Sequence, residues 1–509
     1  MPEKTRTVIA FVLMFLIIVL WSSYMSKRRP PPKKATTEIA KTKEKLSEVV
    51  EKIELVQKPI EEKEVEIETA LYKAVFTNIG GELKSFKLKN YEGKRGEFVE
   101  LIPDGEKTLN IKLLDGIDLR DYAFEVISED SYLEFSLNLS EEEQIVKKFH
   151  FNDENYLITL ILQFPKPYRY ILEWESGLLS TEVNEKEDLR YFSSLFYKGN
   201  VVLKNGLKDI QKKKKVSHSG PGEWAATRTK YFIASIIPTN NKIEKLVAEK
   251  KGEKQIVLCS EFKPNGKSDT LNLYIGPIKY NELMSLNVGL EEIVDFGWKW
   301  IAWLSKAIFK LLKFTNRFVT NWGAIIIIFS TAMKLAFYPL TRKGTKSMRE
   351  LSKLQPKMNE IKEKYKNDPK RMNREVLGLY KSHKVNPLGG CLPLLIQMPF
   401  FIALFSILRS MIELRKSVFV LWIKDLSIPD TLFAIGGFKI HILPLVMSIL
   451  MIVQSRLTTT DPRQKMMSYI MPIMMLFIFW NFPSGLVLYW LTNNVLTIAE
   501  HYIIAKMED

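Results

Sequence analysis

Cysteine is nearly absent. Cys259 and Cys391 are the two in 509 residues, one in a polar half of the chain and one in an apolar segment. A disulfide framework is therefore excluded. Between 69 and 285, His150 and His218 stand alone, so no histidine cluster has metal-ligand spacing. The same stretch lacks a glycine-rich phosphate loop and a nucleophile motif. With no catalytic constellation anywhere, neither an enzyme nor a cofactor or metal is expected. The net charge of +16 comes without an aromatic and basic readout module. Specific nucleic-acid binding is excluded on that ground. In a chain with long apolar runs, such a balance points instead to basic loops beside anionic lipid.

Those runs divide the chain. Residues 7–25 are apolar for long enough to cross a bilayer. They end Trp21-Ser22-Ser23-Tyr24-Met25, which is no small-x-small cleavage site. An uncleaved signal anchor over 1–25 is expected. Residues 26–68, with Pro30 to Pro32 and then dense Lys and Glu, read as a flexible linker. From 69 to 285 short β-rich segments such as Leu71–Phe76, Tyr132–Leu137 and Tyr156–Leu162 alternate with turn residues. This spacing predicts an all-β sandwich. Residues 290–320 carry Trp300, Trp303, Ile308, Leu311 and Phe318 against Lys299, Lys306, Lys310, Lys313 and Arg317. They predict an amphipathic helix lying in the membrane interface.

Residues 322–340 then read WGAIIIIFSTAMKLAFYPL, a span with Lys334 inside it. An ionised side chain in hydrocarbon costs roughly 3 kcal/mol or more. It is kept where it faces water, a partner or a substrate, or where its stem snorkels to the interface; Lys334 lies roughly 9 Å from the span's end. Further spans are expected at 388–412, 440–455, 468–482 and 485–504, giving six in all. The loop at 341–386 has fourteen Lys or Arg against five Asp or Glu, which places it in the cytoplasm. Parity puts both termini inside and the β domain outside. Lys27, Arg28, Arg29, Lys33 and Lys34 oppose this locally, but the larger loop decides. Within that loop Met348, Leu351, Leu354, Met358, Ile361 and Tyr365 form one apolar stripe and Met372, Val376 and Leu379 another. Asp368 and Pro369 suit an N-cap and first helical position between them, predicting a helical hairpin.

The stretches Tyr380–Pro399 (YKSHKVNPLGGCLPLLIQMP) and Asn481–Trp490 (NFPSGLVLYW) resemble signatures of the YidC/Oxa-type membrane protein insertases. Thr460-Asp461-Pro462, Asn321-Trp322-Gly323 and Tyr338-Pro339-Leu340 match in the same way. The resemblance covers about 290–504 closely; before that it rests on the layout of anchor, linker and large β domain. It implies a polytopic α-helical membrane protein of six spans, five of them forming an insertase core over 321–505, with a β-supersandwich-like periplasmic domain. It further implies an inner-leaflet polar groove, nascent membrane proteins as clients, and work alone or beside the Sec translocon in the bacterial inner membrane. The ribosome is a candidate partner of the basic hairpin, and lipid of the spans. The groove basic residue of the family is usually arginine; here it is Lys334, without the planar five-donor fork.

Candidate groove residues beside Lys334 are Ser330, Thr331, Gln397, Gln454, Tyr489, Trp490, Asn493 and Asn494. The polar ones among them also suit plain interhelical hydrogen bonding. Met398, Phe400, Met471, Met474 and Met475 are candidates for an apolar exit path, since methionine adapts to varied segments, although plain packing would use them too. A small-solute transporter or channel with an extracytoplasmic sensor domain is the alternative reading. It would favour internal repeats, which these spans lack.

Overall fold

The computed structural model describes residues 61–508 apart from Arg95, Asp130, 384–391 and 459–466. The expected signal anchor at 7–25, Cys391 and Thr460-Asp461-Pro462 lie outside the described residues. So does the linker as far as residue 60.

The β region begins earlier than its composition suggests. Glu64–Glu68, expected to be linker, is a strand paired antiparallel with Tyr72–Thr77. Its Ile67 is buried, while its glutamates reach lysines on the neighbouring strands, Glu66 to Lys73 and Glu68 to Lys89. Period-two burial is present but hidden under charge. The strands form antiparallel sheets of four, five and nine. Alternate residues of Gln255–Phe262 and Leu157–Gln163 point inward, as half-buried strands require. Trp174, Trp224, Tyr170 and Phe262 fill the interior, the last two stacked with centroids 5.0 Å apart. Leu290 and Ile293 belong to this same core.

Consequently the helix expected over 290–320 is shorter. Residues 290–293 form a 3-10 turn, and helix α1 runs Ala302–Asn316. Its two sides differ. Ile308, Phe309 and Leu312 pack inward, while Trp303, Leu311 and Phe314 are exposed, so Ile308 and Leu311 do not share a face. Lys313 ties α1 to Glu413 at 3.0 Å.

Helix α2 is Trp322–Lys353, continuous through Pro339 rather than ending at 340. The Thr341 hydroxyl lies 3.1 Å from the Tyr338 carbonyl just past the proline. At its start, Asn321 accepts from the Ala324 amide and donates to the carbonyls of Val418 and Phe419. Gly323 lies against the Phe419 ring, and a Cβ there would overlap it. Helices α3 (Gln355–Lys364) and α4 (Pro369–Ser382) form the hairpin. Asp368 caps α4 through the Arg371 amide at 3.1 Å, and Met358, Met372 and Leu354 are buried.

Helices α5 (Leu392–Ser410), α6 (Ile442–Thr458), α7 (Met467–Phe479) and α8 (Ser484–Glu508) complete the bundle. Among the described residues one stretch, Trp322–Pro339, is long and apolar enough to cross a membrane by itself. Gln397–Ser410, Ile442–Arg456 and Tyr469–Phe479 are apolar but shorter. The bundle's outer faces are apolar as well: Leu335, Ile449, Ile473, Phe477 and Ile503 are each at least half exposed. A surface of that kind suits hydrocarbon, not water.

Two anchors fix α6 and α8. One carboxylate oxygen of Asp430 accepts from the Trp422 indole at 3.0 Å and from the amides of Ile442 and Leu443 at 2.9 and 3.0 Å. The Ser484 hydroxyl donates to the Asp425 carbonyl at 2.8 Å, and the Gly485 amide to that of Leu426 at 3.0 Å. Asp430→Ala leaves three donors without that acceptor and should cost about 2 kcal/mol. In detergent its melting temperature should fall by several degrees, with Asp430→Asn intermediate.

Candidate functional site

The site follows from the registry of α2 against α8. On α8, Tyr489, Asn493, Thr497 and Glu500 are spaced four, four and three and so share a face. On α2, Ser330, Lys334 and Thr341 are spaced four and seven and share another. The two polar faces meet. Lys334 Nζ lies 2.7 Å from Glu500 Oε2 and donates to Thr497 Oγ1 at 2.9 Å. The Thr341 hydroxyl donates to the other carboxylate oxygen of Glu500 at 2.7 Å. Side-chain exposure is 17% for Lys334 and 6% for Glu500, so the pair is largely withdrawn from solvent. Removing one member of such a pair is far costlier than removing both.

The other candidates divide. Gln397 Nε2 donates to the Tyr489 hydroxyl at 3.3 Å, joining α5 to this face. Asn493 Nδ2 donates to the Tyr489 carbonyl on its own helix at 2.9 Å. Asn494 is buried, and its Nδ2 has no partner among the described residues. Ser330 and Thr331 turn their hydroxyls back to the carbonyls of Ile326 and Ile327. They are spent on their own helix rather than offered outward. Gln454 is half-buried on α6. Trp490 is a packing residue, its ring 5.0 Å from Phe401 and 5.3 Å from Phe479. Phe400 lies edge-on to Phe337 at 5.0 Å. Met398 is 39% exposed, and Met471, Met474 and Met475 are half-buried on α7.

Glu500 is the residue that the sequence reading passed over. A signal existed, because it is the one acidic residue in the stretch 485–504. The cost that singles out Lys334 applies to it equally. Thr497 and Thr341 are found only once the helix registry is known.

Family models match nearly the whole described chain: the YidC periplasmic domain over 64–311 and the 60Kd inner membrane protein over 314–509. A membrane protein insertase YidC from Endomicrobium trichonymphae is 36% identical over 461 residues, covering 88% of this chain and 86% of its own. Another from Prosthecochloris aestuarii is 34% identical over 552 residues, covering 98% and 94%. The chain belongs to the YidC membrane protein insertase family. The crystal structure of an active YidC insertase with its first transmembrane domain resolved is 21% identical, covering 86% of this chain and 92% of its own, with a TM-score of 0.40. YidC proteins are non-enzymatic insertases of the inner membrane with a periplasmic domain, and the transporter alternative falls with that membership.

The ion pair makes a stability prediction. In a double-mutant cycle, Lys334→Met and Glu500→Gln should each destabilise, and the double variant should recover about 1–3 kcal/mol of their sum. Thermal melting in detergent reads this coupling, and strict additivity would mean that the two charges do not interact.

Proposed function

We propose that the facing sides of α2 and α8 line the path by which a client's polar flank enters the membrane. The single observation supporting this is the Lys334–Glu500 pair, set between two helices with Thr497, Thr341 and the Tyr489–Gln397 bond around it. A hydrophobic segment arriving with a short polar flank must carry that flank across hydrocarbon. Polar walls reaching partway in lower its desolvation cost. A lysine there attracts acidic flank residues, more strongly than in water because the surroundings are less polar. The exposed Met398 and the half-buried methionines of α7 suit the client's apolar segment as it passes to lipid.

The topology that goes with this reading has six spans: 7–25, α2, α5, α6, α7 and α8. Helix α7 has 13 residues, about 20 Å against a hydrocarbon core of about 30 Å. Such a short span thins the bilayer around it and shortens the distance a flank must travel. The fourteen basic residues of 341–386 hold that loop and both termini in the cytoplasm. The hairpin α3–α4 meets clients, or the ribosome, before the groove does. The β domain stands in the periplasm and serves partner docking, and the Sec translocon is the partner for clients that the protein does not insert alone.

Liposomes containing the purified protein, given short clients that differ only in an acidic or neutral translocated flank, test the lysine. Protease protection scores insertion. Lys334→Ala should lower the acidic client's yield relative to the neutral one by about fivefold, the factor that about 1 kcal/mol of lost ion pairing gives. Lys334→Arg should keep the wild-type ratio. Equal losses for both clients would contradict direct attraction.

A further inference from the structure

Lys334 already holds a carboxylate. Its three N–H donors are partly used: one faces Glu500 Oε2 at 2.7 Å, one goes to Thr497 Oγ1 at 2.9 Å, and the third has no partner among the described residues. Glu500 has a second tether, the Thr341 hydroxyl on α2. We infer that Glu500 is a resident competitor for Lys334, a specificity-determining residue that a client's carboxylate must displace. The inference rests on the reading of Lys334 as the residue that attracts clients.

Three features carry it. First, the pair cancels itself. While closed, it presents no net charge to an arriving flank, so a neutral or basic flank meets no repelling ammonium and an acidic one meets no unopposed attraction. Second, the third donor of Lys334 offers a foothold. A client carboxylate can accept from it before Glu500 leaves, so Lys334 is never stranded unpaired in a poorly polar place. Exchange of one carboxylate for another conserves the number and kind of charge-assisted hydrogen bonds. Third, Glu500 stays on hand. Thr341 keeps it beside the lysine after displacement, and its return expels the client's acid and restores the starting state. Without such a return, an acidic flank would stay bound to Lys334 and stall the insertion it began.

Competition of this kind lowers apparent affinity by the fraction of time the lysine is open. Removing the competitor should therefore raise capture of acidic flanks selectively and slow their release. The test uses the full chain in liposomes with matched acidic and neutral clients. Crosslinking to the groove reads capture, and protease protection reads completed insertion. Glu500→Gln keeps the shape and an oxygen acceptor but removes the charge. Its acidic-to-neutral crosslinking ratio should rise about threefold or more over wild type. The acidic client's crosslinks should also decay more slowly. Glu500→Asp, whose carboxylate is drawn back by one methylene, should move the ratio the same way by less, and it decides the matter if the Gln variant is not recovered folded. A ratio at or below wild type in the folded variants would overturn the proposal and leave Glu500 as a structural counter-ion. Lys334→Ala separates the two levels. If it lowers both clients equally, the attraction reading itself fails. If it is selective while Glu500→Gln leaves the ratio at its wild-type value, only the competitor role fails.

Discussion

An ammonium and a carboxylate 2.7 Å apart between two apolar helices constrain everything else in the membrane half. Either charge left alone there is costly, so the pair favours one rotation and one depth of α2 against α8. Spacings of four, four and three on α8 and of four and seven on α2 then bring Tyr489, Asn493, Thr497 and Thr341 to the same seam. Gln397 links α5 to the seam through Tyr489. The outer faces need only be greasy, and they are.

The ends of these helices are held by polar contacts to the loops that join them. Asp430 caps α6, Ser484 and Gly485 seat α8 on the loop at 425–428, and Asn321 seats α2 on the loop at 418–419. That loop system is in turn fastened to the β domain. Arg415 pairs with Glu182 at 2.8 Å over the Phe232 ring, and Lys416 donates to the Gly93 carbonyl at 2.6 Å. The fully buried Arg228 donates to the Ile293 carbonyl at 2.8 Å, where the chain leaves the β core for α1. The β domain is thus joined to the helical bundle by charged contacts as well as by the chain itself.

Most of the architecture was legible where one pattern dominates. The strands of 69–285 announce themselves by alternation, and Asp368-Pro369 announces the start of α4. Legibility failed where two signals overlap. Glu64–Glu68 reads as linker because its outward glutamates outweigh Val65 and Ile67 in composition, though not in the fold. Residues 290–293 read as the start of a helix because apolar spacing does not say which core they join. The apolar run stops at 340 where the basic loop begins, yet α2 continues as one helix to Lys353 because a change from apolar to charged residues does not end a helix. In the site, the sequence singles out Lys334 by the cost of its charge. Its partner lies 166 residues later and becomes visible as a partner only when α2 and α8 are set side by side. Ser330 and Thr331 are the opposite case: polar residues in the right place whose hydroxyls are already spent on their own helix.

The central claim is that a client's polar flank travels along the α2–α8 seam. A photo-reactive side chain introduced at Thr331, on α2 one turn from Lys334, tests it most directly, with ribosome-bound client chains arrested part-way through insertion. The account predicts that light attaches the client's translocated flank to this position, while a probe at Phe477, on the outward face of α7, reaches only its apolar segment or lipid. Efficient insertion with no flank attached at Thr331 at any arrested length would contradict it.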